Sequence, residues 1–213
     1  VSQISDIRSE YHLHQLKKEE AEENPMRQFE RWWKDAMSSG IPEVNAMTLA
    51  TSSADGLPSA RIVLLKGFQE EGFQFYTNYD SFKGKQLEEN PRACLVFFWK
   101  EIQRQVRITG LVEKLKPGAS ENYFKSRPRG SQIGAWASPQ SMVIESSEWL
   151  NERAGEIEKR YKDSNIPRPP HWGGYLVRPV TIEFWQGRPN RLHDRLLYSL
   201  QENGGWMIEI LAP

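Results

Sequence analysis

Apolar residues in this chain change period several times, and each change marks an element. Asn24-Pro25 suits a helix N-cap followed by a first helical position, and Met26, Phe29, Trp33 and Met37 then recur at three- and four-residue spacing until Gly40. One amphipathic helix is predicted over about 25–39. From Ala46 onward β-branched and aromatic residues dominate, which predicts strands over 47–51, 60–67, 73–78, 93–99 and 106–115, arranged as a five-stranded meander. Asp55-Gly56 and Glu71-Gly72 supply tight turns, and a helical interlude is expected over 83–89. Further helices are expected at about 120–126 and 147–163; in the second, Leu150, Ala154, Ile157 and Tyr161 form one stripe, with Glu148 placed to favour the N-terminus. Ile166-Pro167-Arg168-Pro169-Pro170 reads as an extended connector. Strands over 175–185, about 191–200 and 205–211 follow, the last two joined by a turn at Asn203-Gly204-Gly205.

Antiparallel strands, then helices, then more strands argue for a mainly β, α+β fold: a small closed or nearly closed barrel with peripheral helices. Residues 25–213 are expected to form one domain. Residues 1–24, polar and ending in Lys17-Lys18-Glu19-Glu20-Ala21-Glu22-Glu23, read as a solvated helix or a mobile arm, either lid or tail.

Composition narrows the function classes. With 213 residues, 38% hydrophobic and 26% charged, the chain fits one globular domain. Its 28 basic and 28 acidic residues cancel, so no overall field draws in nucleic acid or an anionic membrane, and any anion must meet a local cluster. Apolar runs such as residues 95–99 are far shorter than the ~20 residues of a membrane span, and the first twenty residues lack a secretory apolar core. Cys94 is the single cysteine, so neither an internal disulfide nor a zinc pattern is available, and a reducing, cytoplasmic setting is expected. Glycine-rich phosphate loops are missing, so a phosphate would be gripped by side chains.

Several basic clusters are candidates. Arg61-Ile62-Val63-Leu64-Leu65-Lys66 places a cation at each end of a strand, which can hold two anions or simply be a strand with solvated ends. Phe75-Tyr76-Thr77-Asn78-Tyr79-Asp80-Ser81-Phe82-Lys83 brings hydroxyls and Lys83 to a helix start, or is only a turn. In Arg104-Gln105-Val106-Arg107, alternation puts Gln105 and Arg107 on one face, within reach of a polar ring edge or on an exposed edge strand. Tyr123-Phe124-Lys125-Ser126-Arg127-Pro128-Arg129-Gly130-Ser131-Gln132 packs cations, a phenol and hydroxyls around a Pro-Gly turn, as either a phosphate clamp or a basic loop. Glu183-Phe184-Trp185-Gln186-Gly187-Arg188-Pro189-Asn190-Arg191-Leu192-His193-Asp194-Arg195 is the richest. Alternation there predicts Arg191, His193 and Arg195 on one strand face, either a solvated face or, since clustered like charges are destabilising without a counter-anion, a site.

Taken in order, these stretches resemble the pyridoxine (pyridoxamine) 5′-phosphate oxidase family, together with Ser131-Gln132-Ile133-Gly134-Ala135, Gln140-Ser141, Trp172-Gly173-Gly174 and the terminal Leu211-Ala212-Pro213. The resemblance covers nearly the whole chain. It implies a split-barrel, FMN-binding fold and a homodimer with two FMN molecules at the subunit interface. It implies that FMN is held by Arg61, Ile62, Val63, Leu64, Leu65, Lys66, Tyr76, Thr77, Lys83, Gln105, Gln140, Ser141, Trp185 and Arg195. Substrate binding is implied for Arg8 and Tyr11 of a closing N-terminal segment, for Lys66, Tyr123, Arg127 and Ser131 around the substrate phosphate, and for Arg191, Leu192 and His193 over the ring. Arg191 and His193 are the implied catalytic pair.

The implied reaction belongs to vitamin B6 biosynthesis and salvage. Pyridoxine 5′-phosphate or pyridoxamine 5′-phosphate is oxidised at its 4′ carbon to pyridoxal 5′-phosphate, and O2 is reduced to H2O2. One position departs from the family pattern: Phe82 stands where an arginine usually precedes the lysine, which predicts weaker FMN retention. Glu43, where some relatives have Asp, is a milder change. The alternatives are a split-barrel protein that binds flavin or pyridoxal phosphate without turnover, and a related flavin reductase.

Overall fold

The computed structural model describes residues 4–6 and 10–213. Helix α1 (Pro25–Ser38) begins where capping chemistry sets it: the Asn24 side chain accepts from the Met26 amide at 2.7 Å, and Pro25 takes the first helical position. Its buried face is Met26, Phe29, Trp32 and Ala36, with Trp33 half-buried beside it. Met37, expected on the stripe, is 58% exposed, because continued spacing of four outruns the 3.6-residue turn and rotates it off the face.

Nine strands form one antiparallel sheet: β1 (Ala46–Ser52), β2 (Pro58–Leu64), β3 (Gly67–Gln69), β4 (Gly72–Asn78), β5 (Arg92–Trp99), β6 (Arg104–Lys114), β7 (Trp172–Gln186), β8 (Asp194–Leu200) and β9 (Trp206–Ile210). The strand predicted over 60–67 divides into β2 and β3 at Leu65-Lys66. The expected meander is also corrected, since the order is β2-β1-β5-β6-β7-β4-β3, with β8 and β9 continuing from β7. Local hairpins hold, whereas β1 pairs with β5 and β4 with β7 across long stretches of chain. The Lys66 amide donates to the Gln74 carbonyl at 2.8 Å, which brings the end of β2 back to β4 and curls the sheet into the nearly closed split barrel.

Helix α2 (Phe82–Glu89) follows β4, with Ser81 as N-cap. Between β6 and β7 lie α3 (Pro117–Ser126), α4 (Arg129–Ala137) and α5 (Ser147–Arg160). The Pro-Gly stretch read as a turn is therefore the break between α3 and α4 plus the first turn of α4. The helix expected to reach 163 ends at Arg160, with Tyr161 as its C-cap. Phe29, Phe73, Phe97 and Phe184, all fully buried, fill the barrel, and each such ring contributes about 1.5–3 kcal/mol of transfer free energy. Buried Arg104 fixes α1 to the barrel: it donates to Asp35 at 2.7 Å and Gln186 at 2.9 Å, and its guanidinium lies 4.4 Å from the Trp32 ring. A second apolar cluster, Phe124, Ile133, Ile157, Ile166 and Trp172, joins the three helices to the start of β7. Among the described residues no helix is long and apolar enough to cross a membrane.

Candidate active site

A cleft of about 820 Å³ opens between β2, the end of β4, the start of α2 and the α3–α4 break. Arg61, Lys66, Lys83 and Arg127 line it, and no Asp or Glu does. None of these four cations is ion-paired among the described residues. Arg61 is held by a hydroxyl relay: it donates to Thr51 Oγ1 at 2.6 Å and Ser59 Oγ at 2.5 Å, and both hydroxyls donate to Gln86 Oε1 on α2. Lys83 is buried, and its Nζ reaches only two hydroxyls, Thr77 Oγ1 at 3.1 Å and Ser81 Oγ at 3.3 Å. Burial, and then the neighbouring Arg61, lower its pKa from the ordinary lysine value to about 8. Thr77 in turn donates to Gln140 Oε1 at 3.3 Å, and Ser141 follows with φ 73°.

At the other end Tyr76 stacks on Tyr123 at 4.0 Å and on Trp172 at 5.6 Å. A Cβ on Gly174 would lie 2.7 Å from the Tyr76 ring, so only glycine allows this stack. The Arg127 guanidinium sits 4.5 Å from the Trp172 ring, and its Nη1 is buried without a hydrogen-bond partner. A buried donor left unpaired is costly unless a ligand meets it. The cleft therefore suits two phosphates and flat rings: separate cation groups, a stacked aromatic wall and an orphan donor.

Leu65, expected among the cofactor contacts, does not line the cleft: it is buried in the barrel core. The other described candidates form a second cluster, at the far end of β7. Trp185 lies 4.6 Å from His193, and Tyr11 packs on both, at 5.8 and 6.0 Å. A Cβ on Gly187 would lie 2.7 Å from the Tyr11 Cβ, so glycine makes room for this segment. The His12 and Leu13 amides donate to Gln103 Oε1, and the Leu16 amide donates to Asp194 at 2.9 Å, tying residues 12–16 to the barrel. Arg191 is not in a strand: Asn190 and Arg191 have φ 54° and 60° in a short turn, and β8 begins only at Asp194. The expected shared strand face of Arg191, His193 and Arg195 is thus corrected, since two left-handed residues break the alternation. The His193 Nδ1 accepts from the Arg188 amide at 3.1 Å, which leaves its Nε2 as a donor. Burial first, then Arg191, lower its pKa, so the neutral ring prevails at pH 7.

On the outer face of the sheet, register sets Gln105 opposite Trp185 and Trp185 opposite Arg195. No residue of this second group lines the cleft. Trp172 and Trp185 stand thirteen positions apart on one strand, roughly 40 Å along its contour at ~3.3 Å per residue. Leu192 is exposed beside His193, Ser131 lines the cleft, and Arg8 lies outside the described residues. The residue candidates above omit Asn78, Ser126 and Trp172, which also line the cleft. Trp172 had one signal, its place directly before two glycines.

Comparison with known proteins covers both stretches of the chain. A sequence model described as pyridoxamine 5′-phosphate oxidase matches residues 33–161, and one for a pyridoxine 5′-phosphate oxidase C-terminal dimerisation region matches 172–213. The second match supports a homodimer. A pyridoxine/pyridoxamine 5′-phosphate oxidase of Trichormus variabilis is 54% identical over 99% of this chain and 98% of its own length. That of Salinibacter ruber is 53% identical over the full length of both. The crystal structure of PhzG from Burkholderia lata superposes with a TM-score of 0.87 at 29% identity, covering 92% of this chain and 95% of its own. A pyridoxamine 5′-phosphate oxidase-related, FMN binding protein from Nostoc punctiforme, 20% identical with a TM-score of 0.70 over 89% of this chain and 98% of its own, shares the fold. Matched from end to end by relatives at more than half identity, the chain belongs to the pyridoxamine 5′-phosphate oxidase family.

Proposed function

We propose that this protein is an FMN-dependent oxidase that converts pyridoxine 5′-phosphate and pyridoxamine 5′-phosphate to pyridoxal 5′-phosphate, working as a homodimer. The observation that carries the reading is the acid-free cleft, whose four cations lack counter-ions and whose Arg127 Nη1 is an orphan donor among the described residues. Arg61 and Lys83, with Gln140 and Ser141, hold the cofactor phosphate, while residues 62–64, Tyr76 and Thr77 line its length. Lys66, Tyr123, Arg127 and Ser131 take the substrate phosphate. A second copy brings Gln105, Trp185 and Arg195 to the flavin and Arg191, Leu192 and His193 to the substrate ring, because one chain keeps its two clusters at opposite ends of β7. The segment around Tyr11, seated against Trp185 and His193, acts as the lid.

When bound, FMN supplies the hydride acceptor for the 4′ carbon and, with O2, the route to H2O2. The protein contributes position and charge. Arg191 steers the ring and stabilises charge at the 4′ substituent. His193, with its Nδ1 occupied, donates from Nε2 and orients the same face.

An absorption spectrum taken before and after anaerobic addition of pyridoxine 5′-phosphate tests this reading. A yellow chromophore that bleaches is the expected result, and an unchanged spectrum overturns the oxidase assignment. Phe82, exposed at the cleft where a cation would help hold phosphate, favours a second reading as a non-catalytic binder. Release of H2O2 on substrate addition decides between the two.

A further inference from the structure

Glu183 lies in the middle of the sheet yet carries a carboxylate, and only 3% of its surface is exposed. Register places Arg107 directly opposite on β6, while Arg195 stands opposite Trp185, two residues further along the same face of β7. Each carboxylate oxygen is committed to one guanidinium: Oε2 to Arg107 Nη2 at 2.6 Å and Oε1 to Arg195 Nε at 2.8 Å. Arg195 is then fixed at a second point, its Nη1 donating to the Ala212 carbonyl at 2.7 Å. Its Nη2 has no protein partner among the described residues.

We propose that Glu183 is a positioning residue for the cofactor: it and the Ala212 carbonyl lock the Arg195 fork beside Trp185, so that one guanidinium nitrogen is presented to an anionic or carbonyl group of the flavin. This rests on the reading that Arg195 holds FMN. Stability alone is a poor account of the triad, because exchanging a buried Arg–Glu–Arg group for uncharged residues is often neutral or stabilising. Orientation is what the triad adds. An unrestrained arginine loses rotamer freedom on meeting its ligand, and a pre-held one has already lost it. Arg107, half exposed, balances the charge so that Glu183 is not pulled entirely toward Arg195.

The experiment titrates apoprotein with FMN, followed by flavin fluorescence, in Glu183→Gln, Arg195→Ala and the double variant, with the thermal midpoint of each apoprotein recorded. Glu183→Gln leaves two guanidiniums without their shared carboxylate and is expected to lower the midpoint; titrated below that midpoint, it is expected to bind FMN about tenfold more weakly, and the double variant to bind no more weakly than Arg195→Ala alone. Unchanged affinity in Glu183→Gln while Arg195→Ala loses affinity overturns the positioning role and leaves the FMN reading intact. So do losses that multiply in the double variant. Unchanged affinity in Arg195→Ala overturns the placement of Arg195 at the flavin, and the proposal with it. Should Glu183→Gln fail to fold, Glu183→Asp keeps the charge but withdraws it by one methylene. A partial loss of FMN affinity there supports the role, and none overturns it.

Discussion

Phe82 is the residue at which this cleft is short of charge. More than half exposed, it lines the cavity beside Lys83 and offers an anion nothing. A charge-assisted hydrogen bond is worth about 1.5–3 kcal/mol, so Phe82→Arg is expected to tighten FMN binding roughly ten- to a hundredfold in a fluorescence titration. Unaltered affinity would show that Arg61 and Lys83 already suffice. Lys83 carries a pH dependence whose sign follows from its lowered pKa of about 8. Below that pH the ammonium is present and, on the proposed reading, is ready to meet the phosphate. Above it the free protein has lost the proton and must regain it to bind, so FMN affinity should fall as pH rises through 8, by up to about tenfold per unit. The phosphate, with its second pKa near 6, is almost wholly dianionic above about pH 7.5. Titrations from pH 7 to 10 check this, and Lys83→Met should flatten the profile. The sequence shows these cations by type, since Arg61, Lys83 and Arg127 all sit in suspicious stretches. It does not show Trp172 as the plane under Arg127, because nothing local links a residue before two glycines to a clamp some forty-five positions earlier.

At the scale of elements, α1 is legible because cap, proline and stripe agree, and β7 because its apolar run is long. α4 is hidden by Gly130, Ser131 and Gly134, poor helix formers held in place by packing of Ile133 and Ala137. The turn at Asn190-Arg191 is equally hidden, for two left-handed non-glycine residues leave no mark in an alternation pattern. Gly187 offers the sharpest test of how one element seats another. Gly187→Ala puts a methyl where the Tyr11 side chain packs and should unseat the N-terminal segment. The expected outcome in steady-state kinetics is a several-fold rise in KM with a nearly unchanged thermal midpoint. A normal KM would remove Tyr11 from the closing of the site.

For the whole molecule, the strand order is what the sequence withholds, because β1–β5 and β4–β7 are pairings between distant segments that no local pattern encodes. The separation of the two candidate clusters along β7 is withheld for the same reason. It also yields the most direct prediction. Arg127→Ala spoils the cleft, and Arg191→Ala spoils the distal cluster; each homodimer alone should be nearly inactive. Mixed under conditions that exchange subunits, the two should recover about a quarter of wild-type turnover, because half the dimers become hybrids and each hybrid keeps one intact site. No recovery on mixing would mean that each chain completes its own site.

The fifteen-residue β7 carries Trp172 at its head and Trp185 at its foot. If the two ends serve different centres of a twofold pair, each strand is a crossbeam between them. A displacement of that beam by one inserted residue would flip its side chains and misalign both centres at once, even though only one protomer had changed. Length variation should therefore gather in the loops flanking this strand and spare its interior.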